Sequence, residues 1–380
     1  MVQIIYKGLL QCYLTDYHTV MNFRGRRLCC FFLVFPVLAA FAGGKKEKSE
    51  VLSQNSLFSL AESPELAAGA GHPQAADIAD NSSPPEQTAE EFRAAGTQLV
   101  PPRSEMPGRL SRAEAVFHSV KKAYPDRIGK VEMHDGDWSV QVYGERFYYA
   151  EGRLLPASLR DRMNEYDPQP FYNYERELPA WTEPTPEESA RMREQAALRQ
   201  RRPPKRSSHF YDALWRNRSK EESWEHVKQI NFLGHRVLVH YTILTNLSLV
   251  EEQILRTAKT NAVVQQWVSG IKNVESWSWR NIASTQSRSF HAYGAAVDIL
   301  PKSLGGLATY WLWTSQYTPD WWAVPYSKRF HPPDEVIKAF ESFGFIWGGK
   351  WRYFDTMHFE YRPEILLLSG IEQKDLRELQ

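Results

Sequence analysis

Large aromatic side chains are distributed very unevenly along this chain of 380 residues. Of the 13 tryptophans, only Trp138 and Trp181 precede residue 207, and all the others follow it. Because each aromatic ring buries a large apolar area, the C-terminal half can build the larger hydrophobic core. A composition that is 42% hydrophobic and 24% charged is typical of a globular protein. We therefore expect the fold, and the functional site, to be concentrated after residue 207.

The charge balance excludes one class of function. Lys and Arg total 46 and Asp and Glu total 45, which gives a formal net charge of +1. A nearly neutral chain has no overall field to hold a polyanion. We therefore expect no nucleic acid among its partners.

Residues 1–43 predict an N-terminal extension and an export signal. From Met21, where we expect translation to begin, a basic stretch precedes an apolar run from Leu28 to Phe41, and Ala40-Phe41-Ala42 then offers a cleavage site. These are the three parts of a secretory signal. The run is shorter than a bilayer-spanning helix, which favours a cleaved signal over an anchor. The segment should engage the membrane during export to the periplasm or cell envelope.

The cysteines limit the kind of site that the chain can form. All three precede residue 31, so the body of the protein carries neither disulfides nor cysteine ligands for a metal. Any metal site there must use histidine and carboxylate side chains.

Composition divides the rest of the chain into four segments. Residues 44–109 are rich in Ala, Ser, Pro and Glu and predict a disordered linker. Residues 110–164 predict a small subdomain, in which Ser111 caps a helix and Asp135-Gly136 turns between strands. Residues 165–206 are rich in Pro and charge and predict a second linker. Residues 207–380 predict the main domain.

Within the main domain, local patterns predict particular elements. Val237–Ile243 has the pattern of a strand, and Leu249–Ile271 has apolar spacings that suit one helix ended by Gly270. The insert from Tyr310 to Trp322 is rich in tryptophan. We expect most of these rings to pack in the core, with some lining a substrate cleft.

Two polar groups of residues predict a metal site. The first joins His291 to Asp298 through Gly294, which permits a turn that brings the aspartate back toward the histidine. The second is Asp355 followed by His358 and Glu360, the last two sharing one face of a strand. Two histidines and one carboxylate suit a catalytic zinc ion that keeps a position for water, with Asp355 beside that water as a base.

Other histidines are interpreted as hydrogen-bonded residues of the fold. A single histidine in an aromatic-rich domain is more often a core residue than a ligand. This interpretation applies to His235, His240 and His331.

The two motifs together resemble a known family. Ser289-x-His291-x-x-Gly294-x-Ala296-x-Asp298, followed by Asp355-x-x-His358-Phe-Glu, is similar to the D-alanyl-D-alanine carboxypeptidase (VanY-like) zinc peptidases. That family shares its fold with the hedgehog signalling domain, and the resemblance covers about residues 207–368. It implies an α+β fold in which a small antiparallel sheet with flanking helices holds the zinc, preceded here by the small strand-containing subdomain.

The resemblance also implies a role for each residue. His291, Asp298 and His358 correspond to the zinc ligands, and Asp355 to the general base, a position more usually filled by glutamate. Arg280 corresponds to an arginine that contacts substrate and the developing oxyanion, a role for which Arg288 is the alternative. Ser289 corresponds to a substrate-contacting serine.

The function that follows is an exported zinc metallopeptidase. Its substrates would be the stem peptides of peptidoglycan, cut by a D,D-carboxypeptidase or a related murein endopeptidase. The alternative is a non-catalytic module on the same fold, in which zinc is structural and the protein binds cell wall or another protein. Asp355 beside the ligand His358 argues for the enzyme.

Overall fold

The computed structural model describes residues 110–374, and all structural statements below concern these residues. The predicted export signal and the predicted linker at 44–109 lie outside them. Among the described residues, helices are mixed with small antiparallel sheets, which is the predicted α+β class.

The first part of the described chain is a helix followed by a four-stranded sheet. Ser111 accepts a hydrogen bond from the backbone N–H of Glu114 and so begins helix α1 as predicted. Asp135 and Gly136 both have positive φ and connect the first two strands. The strands follow one another in a meander of order β1-β2-β3-β4. These elements are α1 (Arg112–Ala123), β1 (Ile128–His134), β2 (Asp137–Val142), β3 (Glu145–Tyr148) and β4 (Leu155–Pro156).

The next segment contains a helix that its composition did not indicate. Helix α2 (Pro186–Arg201) begins at a capping box in which Thr185 and Glu188 each bond the other's backbone. Met192 on this helix is buried against Trp321 and Phe354. Proline and charge suggested a linker at 165–206, but proline at the first helical position and glutamate in the first turn also favour a helix.

The C-terminal part combines a hairpin, a four-stranded sheet and several helices. Its helices are α3 (His209–Trp215), α4 (Lys220–His226), α5 (Leu244–Ala258), α6 (Ala262–Ser269), α7 (Trp311–Thr314), α8 (Asp334–Ser342) and α9 (Pro363–Leu368). Its strands are β5 (Val227–Phe232), β6 (His235–His240), β7 (Ile271–Glu275), β8 (Ala296–Pro301), β9 (Phe345–Trp347) and β10 (His358–Tyr361). Strands β5 and β6 form the hairpin, and the antiparallel sheet has the order β7-β8-β10-β9.

Two local predictions were wrong in their boundaries. The predicted helix over 249–271 is two helices, because the first helix ends before Asn261 and the side-chain oxygen of Asn261 caps α6. Its last residue, Ile271, begins β7. The predicted strand over 237–243 ends at His240, where a short 3₁₀ turn follows.

One continuous hydrophobic core joins the first part of the described chain to the last. Phe147 of β3 packs edge-to-face on Phe210 of α3, with ring centres 5.5 Å apart. Tyr124, just after α1, packs on Trp215 in the same way. Buried residues of both parts belong to a single cluster that reaches Phe359 in the central sheet. The four-stranded meander is therefore packed into the same body as the predicted metal site.

From residue 110 to residue 374, none of the helices combines the length and the apolar character needed to cross a membrane.

Candidate metal centre

Antiparallel pairing of β8 with β10 positions two of the predicted ligands. His358 lies directly opposite Asp298 in the register, and Glu360 lies opposite Ala296. Alternation along β10 turns Phe359 to the other face, where its ring stacks on Phe340 at 3.9 Å. The strand is thereby anchored in the core while His358 and Glu360 share the polar face, as the sequence predicted.

The third predicted ligand comes from a tight turn before β8. His291 lies in the 3₁₀ turn Phe290–Tyr293, which ends at Gly294 with φ +67°. A Cβ on Gly294 would lie 2.8 Å from the backbone nitrogen of His240, so the hairpin leaves room only for glycine. This close approach places the turn so that Nε2 of His291 lies 3.1 Å from the carboxylate of Asp298 in β8.

The three side chains converge on one point. Nε2 of His291 is 3.1 Å from Oδ2 of Asp298, and Nδ1 of His358 is 2.8 Å from Oδ1 of the same carboxylate. The two imidazole nitrogens are 3.2 Å apart. Within residues 110–374 these three residues form the one group whose donor atoms could hold a metal ion.

Neighbouring groups leave the converging nitrogens free to accept a metal. Nδ1 of His291 lies 2.6 Å from the carbonyl oxygen of Ser276, which can only accept, so this nitrogen carries the proton. Nε2 of His358 lies 3.1 Å from Oε2 of Glu360, which favours a proton there. Each imidazole thus presents its other nitrogen to the site, the usual arrangement of metal-binding histidines. The residues present fit a zinc ion bound by two imidazoles and one carboxylate.

The charged groups of the site shift one another's pKa values. Burial alone would raise the pKa of Asp298, but the two imidazoles outweigh it and hold that pKa well below its ordinary value. Burial would likewise lower the pKa of His358, whereas hydrogen bonds to Asp298 and Glu360 raise it. Both shifts favour positive charge beside the Asp298 carboxylate.

Asp355 carries an unsatisfied carboxylate oxygen beside this cluster. Its Oδ1 is buried and has no hydrogen-bond partner among the described residues. Burial, with the negative charge of Asp298, raises the pKa of Asp355 to about 7. A buried polar atom without a partner is uncommon in a folded protein and is typical of functional positions.

The structure separates the two arginines that the sequence left as alternatives. Arg280 is exposed and lines a cleft of about 260 Å³ together with His291 and Asp298. Arg288 instead binds Oδ1 of Asp212 at 2.7 Å and stacks over the ring of Trp279. Arg280 therefore lines the cleft and Arg288 is engaged elsewhere, while a contact of Arg280 with substrate remains a prediction.

Ser289 is placed differently from a residue that lines a cleft. It is buried, and its hydroxyl oxygen accepts the backbone N–H of His291 at 3.3 Å. This contact caps the turn that carries the histidine, and a contact with substrate remains a prediction.

The tryptophan-rich insert forms a small aromatic cluster of its own. Trp321 is 2% exposed and packs against Trp311, Tyr353 and Phe354, whereas Trp313 is exposed. Core packing, the interpretation favoured for most of these rings, describes Trp321. Trp321 and Trp322 lie in a 3₁₀ turn.

Sequence reasoning missed Tyr310, at the edge of the same insert. Its backbone pairs with that of Asp355. Burial raises the pKa of Tyr310 to about 12, and the Asp355 carboxylate adds to the rise. A neutral hydroxyl near the proposed base is a hydrogen-bond donor, but the only signal in the sequence was its place at the start of the aromatic run.

The remaining histidines lie outside the cluster. His240 is buried, and its ring nitrogens lie within hydrogen-bond distance of the carbonyl of Trp215 and the hydroxyl of Thr242. The interpretation of His240 as a hydrogen-bonded core residue is therefore confirmed. His235 is partly exposed and His331 is exposed, so the prediction that they lie in the core is wrong for both.

Comparison with known proteins identifies two regions of the chain. Residues 283–361 match a family described as D-alanyl-D-alanine carboxypeptidase, so the segment that carries His291, Asp298, Asp355 and His358 is similar to that peptidase family. Residues 116–171 match a family described as a domain of unknown function. No curated protein matches this chain. No solved structure matches it either.

Proposed function

We propose that this protein is an exported zinc-dependent peptidase that hydrolyses peptide bonds in the stem peptides of peptidoglycan. The observation that carries the proposal is the convergence of His291, Asp298 and His358 beside Asp355, one carboxylate oxygen of which is buried without a hydrogen-bond partner. The similarity of residues 283–361 to a carboxypeptidase family supports the same substrate class.

The side chains of the cluster would hold the metal. His291, Asp298 and His358 offer two nitrogens and one carboxylate, the donor set of open catalytic zinc sites. Zinc bound there would supply a Lewis acid that polarises the scissile carbonyl and makes a water molecule more acidic.

Asp355 would move the proton. Its carboxylate takes a proton from the attacking water and then gives it to the amine that leaves as the C–N bond breaks. The buried Oδ1 of Asp355 has no hydrogen-bond partner among the described residues, so it is free to accept that proton.

Arg280 would bind the charged parts of the substrate. Its guanidinium is exposed at the cleft, where it can meet a terminal carboxylate or the oxyanion that forms during attack. Trp351 lies beside His358, with ring centres 5.3 Å apart.

Export is the second part of the proposal. Its support is the sequence of residues 21–43, with a basic stretch, an apolar run and Ala40-Phe41-Ala42. N-terminal sequencing of the protein recovered from cells should find a start near Gly43. Recovery of the intact chain from the cytosol would contradict export.

The proposed activity is tested with the full chain and defined muropeptides. Zinc-loaded protein should release a terminal alanine from a pentapeptide stem or split cross-linked dimers, and mass spectrometry distinguishes the two. Removal of zinc by a chelator should abolish cleavage, and added zinc should restore it. If zinc-loaded protein binds cell wall but cleaves no muropeptide, the non-catalytic binding module replaces the peptidase.

A further inference from the structure

A continuous chain of buried polar groups leads from His358 away from the cleft. Oε1 of Glu360, whose other oxygen faces His358, accepts Nη1 of Arg362 at 3.1 Å. Nε of Arg362 donates to Oε1 of Glu364 at 2.5 Å. Tyr124 then donates its hydroxyl to Oε2 of Glu364 at 2.8 Å. We call Glu360, Arg362, Glu364, Tyr124 and Tyr211 the buried relay.

Tyr211 closes the relay into a network. Its hydroxyl oxygen accepts Nη2 of Arg362 at 2.9 Å and lies 3.3 Å from Oε1 of Glu364. Arg362 therefore has three separate partners through three nitrogens. A planar guanidinium held in this way has one orientation, and Glu360 is oriented with it.

The burial of these charges is costly and needs an explanation. Arg362 is 1% exposed and Glu364 is 0% exposed. Removing such groups from water carries a large free-energy penalty, so a buried ion pair is weak evidence for added stability. The relay is better explained by the group at its end, because Glu360 meets the imidazole nitrogen of His358 that does not face Asp298.

The relay reaches parts of the chain outside the peptidase similarity. Arg362 and Glu364 follow residue 361, where that similarity ends, and Tyr211 lies in α3. Tyr124 lies within 116–171, the segment similar to a domain of unknown function. The two regions that the comparisons identify are thus connected by hydrogen bonds that end at a predicted metal ligand.

We infer that Tyr124, Tyr211, Arg362 and Glu364 are positioning residues for the metal site. They hold Glu360 so that it keeps the proton of His358 on Nε2 and leaves Nδ1 free for the metal. In this role the segment 116–171 contributes Tyr124 to the groups that orient the metal centre. The inference rests on the proposed function, because it requires that the cluster binds zinc.

The test measures zinc affinity of the full chain by competition with a chelator. Tyr124→Phe removes one hydroxyl far from the metal, and Glu364→Gln keeps the shape while removing a charge. Loss of a group that orients a metal-binding histidine usually weakens affinity about 10- to 100-fold. We expect about 10-fold or more for Glu364→Gln and a smaller loss, about 3-fold, for Tyr124→Phe, which acts from farther along the relay.

Tyr148→Phe is the matched control. Tyr148 ends β3 and belongs to the same segment 116–171 as Tyr124, and its hydroxyl donates to Asp135 at 3.0 Å, outside the relay. This variant should keep wild-type zinc affinity. Tyr124→Phe should lower the melting temperature of the zinc-loaded protein more than it lowers that of the zinc-free protein.

The outcomes separate this inference from the proposed function. If the wild type binds no zinc, the metal site itself is wrong and the inference falls with it. If the wild type binds zinc and both relay variants bind it equally well, with the same loss of melting temperature in both forms, the relay is only structural. Should Tyr124→Phe fail to fold, Tyr211→Phe and Glu364→Gln decide the matter by the same measurement.

Discussion

Asp298 and His358 lie directly opposite each other on two antiparallel strands, and Oδ1 of the aspartate is 2.8 Å from Nδ1 of the histidine. Side chains at paired positions project from the same face of a sheet, so the backbone ladder itself holds these two groups together. His291 joins them from a separate turn. The metal site thus depends on one strand pairing and one glycine-dependent turn.

Loss of either histidine should remove the metal. Purified wild-type protein should contain one zinc per chain, and His291→Ala and His358→Ala should each lower this content severely, because a catalytic zinc has only three protein ligands. Metal analysis by mass spectrometry is the measurement. His331→Ala changes a histidine outside the cluster and should keep the metal. Undiminished zinc in both ligand variants would contradict the assignment.

Asp355→Asn should separate catalysis from metal binding. Asparagine keeps the size of the side chain but cannot accept the proton, so turnover should fall about 10²- to 10⁴-fold while zinc content and folding persist. The measurement is the rate of stem-peptide cleavage together with metal content. Asp320→Asn, at an aspartate that pairs with Arg193 near the surface, is the control and should keep full activity.

The failures of this variant are equally informative. If Asp355→Asn loses zinc, Asp355 is a ligand and the role of Asp298 must be reassigned. If activity is unchanged, Glu360 becomes the alternative base, since it lies 3.1 Å from His358.

Each half of the ligand cluster was predictable from local signals, whereas the meeting of Asp298 with His358, 60 residues away, was implied by the family resemblance. Gly294 signalled a turn, and alternation in β8 and β10 signalled which side chains share a face. The partners that orient the histidines were not predictable. Ser276 and Tyr124 meet the site or its relay only through tertiary packing, and no spacing along the chain reports such contacts.

The boundaries of elements were the least predictable part of the fold. Apolar periodicity continues across Lys259–Asn261, but the side chain of Asn261 caps a new helix there. Near α2, proline and charge were interpreted as a linker although the same residues favour the first turn of a helix. In both places a local hydrogen bond outweighed the composition of the segment.

The two arginines should respond to substitution in opposite ways. Arg280→Ala removes an exposed side chain and should leave stability unchanged while lowering kcat/KM on stem peptides about 100-fold, through loss of a charged contact with substrate. Arg288→Ala should instead destabilise the fold by about 3 kcal/mol, because it leaves the largely buried Asp212 carboxylate without its cation. Cleavage kinetics and urea unfolding of both variants provide the comparison. A stable Arg288→Ala protein with the larger catalytic loss would assign the substrate role to Arg288.

His240 should make the fold sensitive to acid. Burial, with the positive charge of Arg127, lowers the pKa of His240 to about 3 from an ordinary value of 6.5. His240 therefore takes up a proton below about pH 6.5 in the unfolded chain, but only below about pH 3 in the folded protein. The contribution of His240 to the free energy of unfolding is fully present above pH 6.5 and is lost as the pH falls toward 3, by up to about 4 kcal/mol.

His240→Gln cannot titrate. Urea unfolding should therefore show that the difference in free energy of unfolding between this variant and the wild type becomes smaller from pH 7 to pH 4. His235→Gln, at a partly exposed position on the same strand, should keep the wild-type dependence of the free energy of unfolding on pH. If the loss of stability in His240→Gln is the same at every pH, His240 does not control the acid response.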